Sequence, residues 1–162
     1  LQYTYATGKQ ETKQRTDLNV LIEDAVRMQL GALGKREVSV KSNLDSNTPK
    51  LLIDKNRLMQ VVVNLIKNSY EALGAVKDYP EKVIYLHSFS EKGYVGFEIT
   101  DNGIGIEAQQ IDTITEFGKS QKGSSGFGLY YCKMFVEGNK GTLKITSPGK
   151  GKGATVRVEF EI

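Results

Sequence analysis

The spacing of apolar residues predicts three amphipathic helices. The first is expected to begin at a capping Asp17 or Asn19 and to end at Gly34. A longer helix is expected from a cap at Asp54 to Gly74, and a third over residues 127–138. The apolar positions of the first two helices recur at three- and four-residue intervals: Leu18, Leu21, Ile22, Ala25, Leu30, Leu33, Leu58, Val61, Val62, Leu65, Ile66 and Leu73.

Alternation of apolar and polar residues predicts strands. It occurs over residues 83–89, 94–100, 141–147 and 154–162, with a shorter strand around Val38 and Val40. Turn glycines at Gly93 and in residues 149–153 favour antiparallel pairing. Strands of this kind together with amphipathic helices predict an α+β fold: a two-layer α/β sandwich with a mixed, mostly antiparallel sheet covered on one face by about three helices.

Residues 1–16 are polar and follow neither period, so we expect a linker or the end of a preceding helix there. Residues 17–162 are long enough for one globular domain with its own core. Because the chain begins at Leu1 and not at a methionine, we expect a piece of a larger protein.

The charge distribution argues against nucleic acid as a partner. The formal net charge is +3 and the pI is about 8.8, but the lysines are scattered along the chain. This balance suits a small anionic ligand better than DNA. Cys132 is the only cysteine, which excludes an intrachain disulfide and favours a reducing compartment. No apolar run approaches the roughly 20 residues that cross a bilayer, so we expect a soluble, cytoplasmic domain.

The segment from Asp101 to Ile106, Asp-Asn-Gly-Ile-Gly-Ile, directly follows a predicted strand. A carboxylate at a strand end can accept hydrogen bonds from a ligand, and Gly103 and Gly105 let the backbone approach that ligand closely. Asn-Gly is also the commonest two-residue hairpin turn. Taken alone, the segment fits either interpretation.

Asn64 and Asn68 lie four residues apart in the long helix and therefore share one face. Asparagine is a poor helix former, and two amide oxygens at this spacing can coordinate a hard cation such as Mg²⁺. The alternative is a solvated polar face shared with Gln60 and Glu71. Without other observations, the solvated face is the simpler interpretation.

A glycine-rich stretch over residues 118–128 contains Lys119 and Lys122 and leads into the third helix. Backbone N–H groups, a helix N-terminus and a lysine ammonium all favour a phosphate. A surface loop that happens to contain glycines is the alternative.

Read in order, these features resemble the ATP-binding domain of bacterial sensor histidine kinases. That family belongs to a superfamily shared with DNA gyrase, a heat-shock chaperone and a mismatch-repair ATPase. The resemblance covers nearly all of residues 17–162, is strongest over residues 57–68, and implies a Bergerat-type ATP-binding fold.

The resemblance implies a role for each site residue. Asn68 would be the Mg²⁺ ligand, Asn64 would line the phosphate side, and Asp101 would accept from the adenine amino group. Asn64 and Lys122 would be the catalytic residues, with Lys122 near the terminal phosphate. The remaining nucleotide-binding positions would be Gly103, Gly105 and Ile106 in the pocket floor, Phe117 in the lid, and Gly126, Phe127, Gly128 and Leu129 at the start of the third helix.

The resemblance also implies the reaction, which is transfer of the γ-phosphoryl group of Mg-ATP to a histidine. Asn64 favours transfer over hydrolysis. In the members of the superfamily that hydrolyse ATP, the position that resembles Asn64 holds a glutamate that activates water. The single histidine, His87, lies in a predicted strand, so the acceptor is expected on an adjoining helical domain outside this chain. Alternatives are a nucleotide-binding module without transfer, or an ATPase or serine kinase of the same superfamily.

The chain departs from the family pattern at Ser124, where a glycine is usual, and in a short lid that holds only Phe117. A response regulator is the expected indirect partner. We expect a homodimeric parent protein, with or without a membrane anchor, and a monomeric fragment.

Overall fold

The computed structural model describes residues 12–76, 81–116 and 128–162. These residues form five helices and seven strands, and the strands form two sheets. The strands are β1 Gln14–Thr16, β2 Val38–Asn43, β3 Leu51–Ile53, β4 Lys82–Glu91, β5 Tyr94–Asp101, β6 Gly141–Thr146 and β7 Ala154–Glu161. The helices are α1 Leu18–Met28, α2 Leu30–Lys35, α3 Lys55–Gly74, α4 Ala108–Ile111 and α5 Gly128–Gly138.

The main sheet has the order β2-β4-β5-β7-β6. Only the β2–β4 pair is parallel, and the other neighbours are antiparallel. Lys92 and Gly93 join β4 to β5, and both have positive φ, as a tight hairpin turn requires. The predicted fold class, a mostly antiparallel sheet covered on one face by helices, is confirmed.

Alternate residues of the central strands face the helices and form the core. Phe97 on β5 and Val158 on β7 are fully buried opposite each other. They belong to the same cluster as Leu58, Val62 and Ile66 of α3, which are also fully buried. Burial of side chains of this size contributes about 1.5 to 3 kcal/mol each, so α3 is held firmly against the sheet.

The long helix α3 begins where the sequence predicts. The Asp54 carboxylate oxygen Oδ1 accepts from the backbone N–H of Asn56 at 3.1 Å and of Arg57 at 3.2 Å. Its other oxygen, Oδ2, accepts from the N–H of Thr12 at 3.1 Å. One buried carboxylate therefore caps α3 and fixes the chain that enters the domain.

The first predicted helix is interrupted. It ends at Met28 and resumes as α2 at Leu30, because Gln29 between them leaves the helical conformation with φ −103° and ψ 4°. Gly34 lies inside α2, so the prediction that it closes the helix is wrong. The residue with positive φ that follows the end of the helix is instead Glu37, at φ 55°.

A small second sheet pairs β1 with β3, in the register Gln14 to Ile53 and Thr16 to Leu51. Residues 14–16 thus pair with a strand of the domain, although no period marks them in the sequence. Residues 1–11 lie outside the described residues, and the assignment of residues 1–16 to an upstream segment remains a prediction. In the described part of the chain, no helix combines the length and apolar character needed to cross a membrane.

Candidate functional site

Asp101 is the last residue of β5, at the centre of the main sheet. It lies between Ile84 of β4 and Ala154 of β7, and only 7% of its surface is exposed. Its carboxylate accepts from the backbone N–H of Gly103 at 2.9 Å, and it is also hydrogen-bonded by the Ala154 backbone and the Ser69 side chain. Three separate segments therefore hold one buried carboxylate in place.

Burial raises the pKa of Asp101 from 3.8 to about 6, while the hydrogen bonds from Gly103, Ala154 and Ser69 act in the opposite direction. Burial raises the pKa because the charged carboxylate loses the water that would stabilise it, which disfavours the ionised form. Above pH 6 the group is a charged acceptor in a mostly apolar setting, where hydrogen bonds to it are strong.

The loop after Asp101 approaches α3 closely. A Cβ on Gly103 would lie 2.9 Å from the carbonyl carbon and oxygen of Ala72. Gly105 has φ +70°, and a Cβ there would clash with the Gly149 carbonyl oxygen. Both positions require glycine because the backbone of another segment lies where a Cβ would be.

The hairpin interpretation of this segment is wrong. The chain runs from β5 into a loop and then into α4, without a returning strand. The Asn102 side chain is hydrogen-bonded to the backbone at the start of β4. Its Oδ1 accepts from Val83 N–H at 2.9 Å and its Nδ2 donates to Glu81 O at 2.8 Å. Asn102 therefore fixes the ends of β4 and β5 side by side.

Ser147, which sequence reasoning missed, fastens the β6–β7 turn to this loop. Its hydroxyl donates to the Gly153 carbonyl at 2.6 Å and accepts from the Ile106 N–H at 3.0 Å. The Gly151 N–H also donates to the Ile104 carbonyl. The sequence marked residues 149–153 only as a hairpin turn, and no local pattern shows that such a turn supports another loop.

Asn64 lies on α3 beside α5. It is 5% exposed, and its Nδ2 lies 4.0 Å from the Sγ of Cys132. The Cys132 thiol donates to the Val61 carbonyl at 3.9 Å, and burial raises its pKa to about 12, so it remains a neutral thiol. The solvated-face interpretation is therefore wrong for Asn64. Asn68, one turn further along, is half-buried.

The helix α3 lies between the loop after β5 and the beginning of α5. Ser69, next to Asn68, contacts Asp101. Leu129, in the first turn of α5, packs against both the main core and a second cluster of Ile106, Ile114 and Ile145. α3 therefore lies against β5 on one side and α5 on the other, and its C-terminal part approaches the loop after β5.

Four predicted site residues lie outside the described residues: Phe117, Lys122, Gly126 and Phe127. Gly128 begins α5, as predicted for the third helix. His87 is exposed on β4 and stacks on Phe89 with ring centroids 6.0 Å apart, as expected of a surface histidine in a strand.

Comparison with protein families decides the affiliation of the chain. The profile of the family described as histidine kinase-, DNA gyrase B-, and HSP90-like ATPases matches residues 53–162. The chain belongs to this family. It is a histidine kinase-like ATPase domain, the type of ATP-binding catalytic domain found in sensor kinases.

Relatives of this ATPase domain include sensor kinases of distant bacteria. Sensor histidine kinase ZraS of Escherichia coli K12 is 31% identical over 143 residues, covering 88% of this chain and 30% of that protein. Sporulation kinase B of Bacillus subtilis is 29% identical over 151 residues, covering 91% and 33%. The chain thus spans about a third of the length of these relatives.

Solved structures show the same fold. Full-length ShkA in complex with AMPPNP superposes with a TM-score of 0.81 at 20% identity, covering 94% of this chain and 31% of that one. The catalytic domain of histidine kinase ThkA, in a nucleotide-free form, has a TM-score of 0.80 at 20% identity, covering 93% and 95%.

Proposed function

We propose that this ATPase domain binds Mg-ATP and supports transfer of the γ-phosphoryl group to a histidine on an adjoining helical domain. The observation that carries the proposal is the Asp101 carboxylate, buried at the end of β5 and held by donors from three segments. A buried acceptor held by hydrogen bonds beside a close-packed glycine loop suits recognition of a base bearing an amino group.

The adenine end of the nucleotide is proposed to lie at Asp101. The carboxylate would accept from the exocyclic amino group, and Gly103, Gly105 and Ile106 would form the pocket floor. Ile106 supports this role because it is 5% exposed and belongs to the apolar cluster beside the loop. An apolar floor and one charged acceptor together favour a flat, amino-bearing ring.

The residues on α3 fit a magnesium ion that arrives with the nucleotide. The described residues contain no group of three or more His, Cys, Asp or Glu side chains that could hold a metal ion by themselves. Asn68 would supply an amide oxygen, with Asn64 lining the phosphate side, and phosphate oxygens would complete the shell. When bound, Mg²⁺ neutralises charge on the phosphates.

The neighbourhood of Asn64 favours transfer over hydrolysis. An amide has no basic electron pair near neutral pH, and the adjacent Cys132 thiol stays protonated. Glu71, two turns away, lies 3.9 Å from the Lys67 ammonium. No general base for water is therefore placed at Asn64 by these neighbours, whereas an imidazole acceptor brings its own nucleophile.

The remaining parts of the proposed site are the lid and the helix that follows it. Phe117 would cover the nucleotide, Lys122 would contact the terminal phosphate, and residues 126–129 would bring the N-terminus of α5 to the phosphates. The partners would be the phosphoacceptor domain and, through it, a response regulator. Such a domain would work in the cytoplasm, where ATP is available, whether or not its parent is membrane-anchored.

The test is incubation of this chain with Mg²⁺, γ-labelled ATP and a phosphoacceptor domain from a sensor kinase, supplied separately. Label on the histidine of that domain is the expected result. Tight ATP binding without label on several acceptor domains would favour a nucleotide-binding regulatory module. Release of free phosphate without an acceptor would favour an ATPase, and both of these results would contradict the proposal.

A further inference from the structure

Ser147, directly after β6, links two segments of the chain through one hydroxyl group. A hydroxyl has one hydrogen to donate and two lone pairs that accept. That of Ser147 donates to the Gly153 carbonyl at 2.6 Å and accepts from the backbone N–H of Ile106 at 3.0 Å and of Gly149 at 3.2 Å. The Gly149 carbonyl lies further away, at 3.3 Å. The hydrogen-bonding capacity of this side chain is therefore used between the β6–β7 turn and the loop after Asp101.

The turn and the loop are also joined through their backbones. The Gly153 N–H donates to the Gly103 carbonyl at 3.1 Å, and the Gly151 N–H donates to the Ile104 carbonyl. Since backbone atoms make these two hydrogen bonds, they remain when a side chain is replaced. The hydrogen bonds of Ser147 are lost with its hydroxyl, so a single substitution can loosen the end of the loop.

Ile106, at the end of the loop, is held through both its backbone and its side chain. Its N–H is bonded to Ser147, and it is 5% exposed in a cluster with Ile114 and Ile145. Asp101, at the beginning of the loop, is fixed by the pairing of β5 with β4 and β7. The position of Ile106 relative to the Asp101 carboxylate therefore depends on how the backbone of Ile106 is held.

We propose that Ser147 is a positioning residue that determines base specificity, because its hydroxyl holds Ile106 in the pocket floor at a fixed place relative to the Asp101 carboxylate. The proposal rests on the proposed function, in which Asp101 accepts from the adenine amino group. It adds a residue of the β6–β7 turn to a pocket otherwise built from β5 and its loop.

Base specificity at such a site requires a fixed floor. A charged carboxylate accepts from an amino group but repels a carbonyl oxygen, so it would favour adenine over a base with oxygen at the same position. This discrimination is lost if the base can move away from the carboxylate. A floor held by Ser147 would prevent that movement, because the ring and the carboxylate then keep one relative position.

An exposed ion pair near the same turn is a weaker link. The Lys150 ammonium lies 3.9 Å from the carboxylate of Glu107, the residue after Ile106, and the lysine side chain is 80% exposed. Pairs of this kind contribute little because water and salt screen the charges. Of these two side-chain links between the turn and the loop region, the Ser147 hydroxyl therefore makes the stronger one.

The test compares the affinities for ATP and inosine triphosphate (ITP) by calorimetric titration in the presence of Mg²⁺. ITP has an oxygen in place of the adenine amino group and the same phosphates, so the ratio of the two dissociation constants reports base recognition. We expect the unsubstituted domain to bind ATP more tightly than ITP. In Ser147→Ala this preference should fall about tenfold, the factor that corresponds to roughly one hydrogen bond.

A serine that only stabilised the fold would behave differently. Its removal would lower the melting temperature and the fraction of folded protein, and this loss affects the binding of ATP and ITP equally. The ratio of the two dissociation constants would then stay unchanged.

Four further variants control the comparison. Ser147→Thr keeps the hydroxyl and should keep the preference for ATP. Ser147→Cys has a weaker donor and acceptor, should lower the preference as alanine does, and provides the measurement if the alanine variant fails to fold. Ser88→Ala removes a fully buried hydroxyl that donates to Asn19 Oδ1 at 2.7 Å and accepts from Asp45 N–H at 2.8 Å. Ser88→Ala and Lys150→Ala should both leave the preference unchanged.

The outcomes separate the two proposals. Equal ratios in the unsubstituted domain, Ser147→Ala and Ser147→Cys would overturn the role of Ser147, as would an equal fall in Ser147→Thr or Ser88→Ala. If Asp101→Asn still lowers the preference for ATP in the same series, the proposed adenine site stands without Ser147. A ratio that neither Ser147→Ala nor Asp101→Asn changes, or an unsubstituted domain that does not distinguish ATP from ITP, would overturn both.

Discussion

At the scale of single residues, folding and the proposed nucleotide binding would make opposite demands on Asp101. Its pKa is raised from 3.8 to about 6 by burial, so above pH 6 the folded chain carries a charge that the unfolded chain solvates better. A ligand that donates a hydrogen bond would relieve this cost. The charged residue therefore lowers the stability of the empty domain, and in the proposed complex it would strengthen binding.

Asp101→Asn should accordingly stabilise the empty domain at neutral pH. Because the pKa is higher in the folded state, the unsubstituted domain loses stability as pH rises from about 4 to about 6. The loss corresponds to at most about 3 kcal/mol, since one pKa unit is about 1.4 kcal/mol. Urea unfolding of both proteins at pH 4 and pH 7 would check this, and equal pH dependence in the two would contradict it.

Gly105→Ala should destabilise the domain by about 2 kcal/mol or more. The residue has φ +70°, and its added methyl group would clash with the Gly149 carbonyl oxygen. Gly34→Ala is the matched control, because nothing lies within 4 Å of its added Cβ and it sits inside α2. That substitution should stabilise by about 0.5 to 1 kcal/mol. In thermal unfolding, the melting temperature should fall for Gly105→Ala and rise for Gly34→Ala. Similar losses of stability in the two variants would show that the contact between Gly105 and Gly149 is not responsible.

At the scale of elements, the long helix and the main strands were predictable, whereas the shortest strands and the break in the first helix were not. The apolar period of α3 and its cap at Asp54 predicted both ends. The alternation of β4, β5, β6 and β7 likewise predicted the sheet. The three-residue strands β1 and β3 are too short to show a period, and Gln29 gives no signal that it interrupts a helix.

The candidate site, like the fold, could be predicted from the sequence only in part. The loop after Asp101 could be predicted as a candidate site because its residues follow one another in sequence. Ser69 and Ser147 could not, because their role depends on which strand end or loop each hydroxyl meets after folding. Sequence periodicity assigns a residue to a face of a helix, but it does not show which atom that face contacts.

Asp54→Ala should cost about 2 kcal/mol, more than Asp17→Ala, which should cost about 1 kcal/mol. Both carboxylates cap a helix, but Asp54 is buried, also accepts from Thr12 N–H, and lies 3.8 Å from Arg57 Nε. Its removal leaves a buried guanidinium without that partner. Denaturant midpoints of the two variants would test the order, and a larger loss for Asp17→Ala would contradict it.

At the scale of the whole molecule, the parts of the proposed reaction are separated. In the proposed site, Asp101 at the end of β5 would recognise the base, and Asn64 and Asn68 on α3 would lie at the phosphates and the metal ion. The nucleophile is expected on another domain. Such a division lets one domain hold activated phosphate until a second domain is presented.

Asn68→Ala should reduce the contribution of Mg²⁺ to nucleotide binding. Affinity for ATP without metal should change little, whereas the gain on adding Mg²⁺ should fall by about tenfold, since a lost metal ligand costs about 1 to 2 kcal/mol. Asn56→Ala removes an exposed asparagine side chain at the start of the same helix and serves as the control. Equal losses with and without the metal would exclude Asn68 as a ligand.

The central claim is that Asp101 recognises the nucleotide, and calorimetric titration of ATP into the unsubstituted domain and Asp101→Asn at neutral pH tests it most directly. We predict that the variant binds ATP more weakly by about 1 to 3 kcal/mol, the range for a mismatched buried hydrogen bond, although its empty form is more stable. Unchanged affinity in a folded variant would contradict the assignment of the site.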